Sequence, residues 1–402
     1  MRPRRGSTIL GAGQIGFAGR FRAPRLRPLV YQFVLAAALG VVAWYLVSTA
    51  AQNLLDLGVA AGFGFLSREA GFAIGETTLL SYSAADTYLR AIAVGFLNTL
   101  RVATLAILFA TLLGVAIGLA RLSANWLLAK GAAGYVELLR NVPLVVQLFF
   151  WYSVITEILP APADAMRPVP GVFLSNRGVV FPMLELTAPD RWLFALAAGV
   201  VVLAVLWIGR SLRLPEIARR QSLAGAATLA TAAGGALLLL LATRKSIKLD
   251  YPVFGGFDFA GGGSLSPEFT ALFLGLTLYT AAFIAEIVRA GILSVDRGQF
   301  EAGYSLGLTE RQVMRFIVLP QALRLIVPPV TSQYLNCTKN SSLAVAIGYP
   351  DLVSVANTTI NQTGQAIEGI TIIMIVYLSI SLAISAAMNA YNRRVVLRGN
   401  SR

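Results

Sequence analysis

Histidine is absent from the 402 residues, and cysteine occurs once, as Cys337. The first absence removes the commonest metal ligand and the usual proton shuttle near neutral pH, and the second excludes an intrachain disulfide. Charge is scarce as well. Asp, Glu, Lys and Arg make up 13% of the chain, and the 19 acidic residues are outnumbered by 33 basic ones. With so few carboxylates and no imidazole, a convergent acid–base or nucleophilic set is missing, so no catalytic or metal-ligating residue is assigned and no cofactor is implied. The pattern G-x-x-x-x-G-K-[ST] is also missing, so the usual loop that cradles nucleotide phosphates is not in this chain.

What is there is apolar sequence. Hydrophobic residues make up 56% of the chain, mean hydropathy is +0.70, and stretches long enough to cross about 30 Å of hydrocarbon recur. The expected fold is an all-α, polytopic transmembrane helical bundle of about eight spans, near residues 29–49, 95–120, 138–160, 192–209, 223–242, 269–289, 316–336 and 370–390. The net charge of +14 could suggest nucleic acid. The basic residues instead cluster at the ends of apolar segments, which fits membrane topology and a lipid partner, with no nucleic acid. Residues 1–28 hold seven Arg and no acidic residue, without the short apolar core and cleavage site of a signal peptide, and are expected to stay in the cytoplasm. An even number of spans returns residues 392–402 to the same side, and basic residues then concentrate in the segments placed inside. Residues 11–16, GAGQIG, match G-x-G-x-x-G, but no strand precedes them and they are read as tail.

A polar interruption, EAGYSLGLTERQVMRFIVLP at residues 301–320, reads as two short helices joined at a corner. Asp296 with Gln299 fits a capping arrangement opening the first helix, and Gly307 can take the left-handed conformation that closes it. Thr309 and Gln312 form a second capping box, after which Val313, Phe316, Ile317 and Pro320 follow at helical spacing. Phe300 and Tyr304 lie one turn apart, while Ala302 and Gly303 leave a surface that a partner's backbone could approach.

This spacing resembles the cytoplasmic coupling loop of bacterial ABC importer permeases, E-A-A, three residues, G, nine residues, I-x-L-P. Glu301, Ala302, Gly307, Ile317, Leu319 and Pro320 fall on the pattern, and Gly303 replaces its second Ala. Further stretches, YLRAIAVGFLNTL from Tyr88, VELLRNVPLVVQLFFWY from Val136, YTAAFIAEIVRAGI from Tyr279, LPQALRLIVPP and NSSLAVAIG, are similar to the polar-amino-acid branch of that family, the histidine, glutamine and general L-amino-acid permeases. The resemblance implies the type I importer permease fold, with Glu301, Ala302, Gly303, Gly307, Leu319 and Pro320 coupling the chain to an ATPase. It also implies a cytoplasmic ATP-binding subunit dimer, a second permease subunit of the same family, a periplasmic amino-acid-binding protein and an L-amino acid substrate, in a bacterial inner membrane. Residues 85–160 and 266–391, with the loop at 296–320, then form the permease core. Residues 29–84, an additional first span and periplasmic loop, and residues 161–265, an insertion with two extra spans and a Gly-rich tail, resemble the larger permease subunit of a general L-amino-acid transporter. The reading from another class, a proton- or sodium-coupled carrier, would have no reason to carry the coupling loop, and no internal inverted repeat is visible.

A zwitterion crossing hydrocarbon needs polar partners that face a cavity. Pro328 and Pro329 are expected to break the seventh span, and Gln333, Asn336, Ser341 and Ser342 follow, either as a substrate path beside a broken helix or as a polar helix end outside the membrane. Thr280 faces the same path or bonds its own backbone. Glu286 and Arg289, three residues apart, pair with each other or sense substrate. Gln147 reads as a helix–helix hydrogen bond, Gly114 and Gly118 as a helix-packing surface, and Glu137 with Arg140 as interfacial anchors.

Overall fold

The punctuation of the apolar sequence decides where its helices begin and end in the computed structural model, which describes residues 26–56, 62–186, 234 and 247–396. Two units divide the chain, Met1–Gly62 and Phe63–Arg402. In the first, α1 runs over Leu26–Asp56 and includes the apolar stretch Val30–Leu46.

The second unit is built on two long helices, α2 (Tyr88–Ala120) and α5 (Pro267–Leu293), separated in sequence by α3 (Trp126–Asn141) and α4 (Leu144–Ser153). Thr87 caps α2 by accepting the Arg90 N–H, and Ser266 caps α5 by accepting the Phe269 N–H, with Pro267 at the first helical position where its missing donor costs nothing. The two helices pack closely because their contact face has little side-chain bulk. A Cβ on Gly114 would stand 2.7 Å from Ile284 Cβ, and one on Gly118 would stand 2.8 Å from the Ala285 carbonyl oxygen. The small-residue packing surface is therefore used, on α5.

After α5 come α6 (Arg297–Ser305) and α7 (Glu310–Val313), then a π-helical turn, Met314–Val318, leading into α8 (Leu319–Asn340). A 3-10 segment, Ser341–Ile347, ends at Gly348, and α9 (Leu352–Thr363) and α10 (Ala366–Val396) complete the helices. Pro328 and Pro329 lie inside α8 without ending it, contrary to expectation. Ile326, Val327 and Val330 on either side are buried, and that packing holds the helix across the two missing donors.

The expected third span, residues 138–160, is instead a broken pair, α3 with the stretch Leu144–Ile158, bent by 104°. Val142 precedes Pro143, which disfavours the α region for it, and it is extended at φ −92°, ψ 126°. Gln147 occupies the break: its amide nitrogen, Nε2, donates to the carbonyls of Leu139 and Val142 at 2.9 Å each. The expected helix–helix bond is thus present, and it joins α4 to the adjacent α3.

Among the described residues, four helices are long and apolar enough to cross a membrane, or five if the bent pair is one span. Eight spans are not reached. The expected spans at 192–209 and 223–242 lie outside the described residues.

The segments flanking those two stretches carry short strands that hydropathy did not reveal. Strands β1 (Met166–Val169), β2 (Val172–Ser175), β3 (Gly178–Phe181) and β8 (Gly263–Leu265) form an antiparallel sheet in the order β1-β2-β3-β8. Strand β4 (Met183–Leu186) pairs with β5 (Ile247–Asp250), and β6 (Val253–Phe254) with β7 (Phe259–Ala260). The Gly-rich stretch is therefore structured. Gly261 and Gly262 turn the chain with φ of 77° and 68° between β7 and β8.

Candidate functional site

The corner between α5 and α8 is fixed by local chemistry. Asp296 Oδ1 accepts the Gly298 N–H and opens α6. Gln299, expected to complete that cap, instead receives a hydrogen bond from Gln321 Nε2 at 3.2 Å, tying α6 to α8. At the other end the Leu308 N–H reaches the Gly303 carbonyl at 3.2 Å and the Gly307 N–H the Tyr304 carbonyl at 2.9 Å, while Gly307 stands at φ +76°. This is the Schellman arrangement, and only glycine takes it without a Cβ penalty. Gln312 then accepts from both the N–H and the hydroxyl of Thr309, at 2.9 and 3.0 Å, and starts α7.

Gly303 departs from its expected place. It is buried, and a Cβ there would stand 2.8 Å from both Ile317 Cδ1 and Val313 Cγ2. The glycine serves the contact between the corner's own two helices, not an outer surface. Phe300 packs inward with Ile292, Val295, Val313, Val318 and Ala322. Glu301, Ala302, Gly307, Leu319 and Pro320 are exposed, and with them Tyr304, Phe316 and above all Leu306, which is 78% exposed. The corner thus has a packed inner face and an outer face of apolar side chains that no described residue covers.

Behind the corner, Glu286 gathers arginines. Arg289 donates to its Oε1 at 2.7 Å, Arg121, at the C-terminal cap of α2, donates to its Oε2, and Arg140 Nη1 of α3 lies 3.9 Å from the same oxygen. The expected pairing with Arg289 is present. Arg121 and Arg140 were not linked to it by sequence, because they come from other helices, Arg121 from 165 residues away, and no local spacing marks such a contact. Arg140 is less an anchor than a neighbour of this carboxylate, with its guanidinium 5.1 Å from the Phe283 ring centre.

The five residues expected along a polar path divide. Thr280 is buried between α5 and α8, where its side chain bonds the Cys337 thiol. Ser341 is fully buried and donates to the Thr338 carbonyl at 2.7 Å, and Ser342 donates to the Lys339 carbonyl at 2.7 Å. Each of these three side chains has a partner within the bundle. Gln333 is half-buried and Asn336 exposed, on the open side of α8 with exposed Pro329 and Ser332.

At the end of the bundle away from the corner, a cavity of about 440 Å³ is lined by Glu76, Glu268, Ser266, Pro350, Ser354 and Thr358, among others. Asn98 donates to the carbonyls of Glu76 and Pro350, and Glu76 pairs with Arg101 at 3.1 Å. Asp351, fully buried, caps α9 by accepting the Ser354 N–H at 2.8 Å. Burial pushes its carboxyl up to about 7, against the backbone N–H bonds that draw it down. Sequence reasoning singled out none of these side chains: the partners of Asn98 and Arg101 come from the segments around Glu76 and Pro350, and Glu76 and Asp351 follow no motif. Among the described residues, no group of His, Cys, Asp and Glu is arranged to hold a metal ion.

The family described as "Binding-protein-dependent transport system inner membrane component" matches residues 110–397. The chain is 46% identical to the putative amino-acid ABC transporter permease protein YhdX of Escherichia coli, with 98% of each chain covered. It is 44% identical to the general L-amino acid transport system permease protein AapQ of Rhizobium johnstonii, with 93% of each covered. A solved structure described as an amino acid ABC transporter with histidines aligns over 76% of this chain and 95% of that one, at 22% identity and a TM-score of 0.45.

Proposed function

The chain belongs to the binding-protein-dependent transport system inner membrane component family, and from that premise we propose that it is the permease subunit of an ATP-driven ABC importer for L-amino acids. The observation that carries the reading is the corner at residues 296–320, with its packed inner face and its exposed Tyr304, Leu306 and Phe316. Apolar side chains at a loop outside the spans are stable when a partner covers them. A cytoplasmic ATP-binding subunit is that partner, and a dimer of it serves this chain and a second permease of the same family. The substrate class follows the names of the relatives, and delivery falls to a periplasmic amino-acid-binding protein. The absence of a phosphate loop from the sequence supports a separate ATPase.

The mechanism is alternating access. Closure of the ATPase dimer on ATP moves the docked corner, Gln321 and Phe300 transmit the movement to α8 and α5, and the paired permeases change the side to which the polar face of α8 opens. Both termini are cytoplasmic in this reading.

Uptake into right-side-out vesicles carrying the whole transporter, with ATP supplied in the lumen, tests the reading. It is expected to require ATP on the corner side. Uptake that persists with ATP depleted and a proton or sodium gradient imposed would replace the importer with a secondary carrier.

A further inference from the structure

One carboxylate cannot satisfy three guanidiniums. Glu286 gives Oε1 to Arg289 and Oε2 to Arg121, and the third arginine, Arg140, stays 3.9 Å from Oε2, beyond hydrogen-bond range. No hydrogen bond to the Arg140 side chain occurs among the described residues, and Glu137, three residues away on α3, forms no ion pair there. The cluster grades from the bundle to water, with Arg121 13%, Glu286 26%, Arg289 31% and Arg140 40% exposed in their side chains. Three positive charges against one leave a surplus of two in a site where solvent screens poorly. The Phe283 ring lies against the Arg140 guanidinium at 5.1 Å, and the Arg140 donors have no hydrogen-bond acceptor among the described residues. A planar fork beside two further cations suits an oxyanion with several acceptor oxygens.

The height of the site in the membrane narrows the ligand. Arg121 ends the long span α2, Glu286 lies near the inner end of α5, and α3 begins with exposed Trp126, a residue type that favours the boundary between headgroups and acyl chains. We propose that Arg140, with Arg121 and Arg289, forms a binding site for a phosphate oxyanion supplied by the headgroup of an anionic phospholipid at the bilayer boundary beside the corner. The proposal rests on the membrane orientation given above and not on the transported substrate. A lipid seated there bridges α2, α3 and α5 at the level where movement of the corner enters the bundle.

The test uses the intact transporter, purified with its companion subunits and exchanged into equal mixtures of phosphatidylglycerol and phosphatidylcholine, with co-purifying lipid counted by mass spectrometry. Wild type is expected to retain phosphatidylglycerol several-fold over phosphatidylcholine. Arg140→Gln should lose that preference, Arg140→Lys should keep part of it because charge remains without the fork, and the exposed-charge control Arg297→Gln should keep all of it. Elution at the wild-type volume on size exclusion establishes that Arg140→Gln is folded. Equal retention of the two lipids by wild type, or an unchanged preference in Arg140→Gln, overturns the site. Inorganic phosphate at millimolar concentration is expected not to displace the lipid, and displacement would overturn the headgroup as the source of the anion. ATP-driven uptake by the same preparations separates the two readings, since its absence alongside intact lipid selectivity counts against the importer and not against the site.

Discussion

Gly303 and Gly307, one helical turn apart, have different roles in the corner, and substitution should separate them. At Gly307 the backbone is left-handed and nothing crowds a Cβ. Gly307→Leu therefore costs about 1–2 kcal/mol through conformation alone and loosens the end of α6. Gly303 has ordinary backbone angles but no space, so Gly303→Leu drives α6 away from Val313 and Ile317. Both variants are expected to insert normally and to uncouple ATP hydrolysis from transport. Substrate-stimulated ATPase and co-purification of the ATPase measure this, and wild-type coupling in Gly307→Leu would reduce the corner to a connector. Asp351 makes a prediction about pH. Its carboxyl is held at about 7 in the folded state against an ordinary value of 3.8, chiefly by burial. The folded chain therefore keeps a proton that the unfolded chain has released, so this stability is complete below about 3.8 and is lost as pH rises through about 7. The Tyr377 phenol lies beside it, and the nearby charges Glu76 and Arg101 act on Tyr349. The thermal midpoint of the purified transporter should fall over that window, with a slope of at most about 1.4 kcal/mol per pH unit. Asp351→Asn should flatten it, and an unchanged slope in that variant would assign the dependence to another group.

Among the elements, α8 carries the sharpest contrast between exposure and burial. Asn336 is exposed on a helix otherwise suited to the membrane, a position that is stable only against water or a polar partner. Asn336→Ala is expected to raise the KM for uptake while leaving expression and assembly near wild type. Ser341→Ala, just beyond the end of α8 and fully buried, should lower the thermal midpoint instead, since losing a buried hydrogen bond costs about 1 kcal/mol. An unchanged KM in Asn336→Ala for every amino acid tried would move the binding site to the companion permease. The sequence marked a polar run but could not divide it into buried and exposed residues, because residues at successive helical positions face in different directions and the neighbours that cover some of them come from α5 and α10. The break between α3 and α4 was missed for a related reason. Hydropathy is continuous across Pro143, and the side chain that stabilises the bend, Gln147, looks from sequence like any polar residue in a span.

For the whole molecule, side of the membrane is the property most open to test. A reporter fused after Arg311 should behave as cytoplasmic and one near Gly262 as periplasmic, because the corner follows α5 and the turn between β7 and β8 precedes it, and α5 crosses once. The two reporters on one side would contradict the orientation given to α5. A third reporter near Pro215 should share the side of Arg311 if residues 187–246 leave and return through the ladder of β4 and β5.

By itself the sequence determined the class of the protein, the punctuation of its corner and the absence of a nucleotide loop, all of which depend on composition or on residues within one or two turns of each other. The Gly114 and Gly118 face was legible for the same reason, although its partner was not. Tertiary structure alone decided that Glu286 collects Arg121 and Arg140, that Gly303 faces inward, that Thr280 and Ser341 are buried, and that the proline pair in α8 leaves the helix whole while Pro143 does not. In each of these the deciding energy is burial or charge pairing between segments far apart in the chain, and no local pattern encodes which distant surface will arrive.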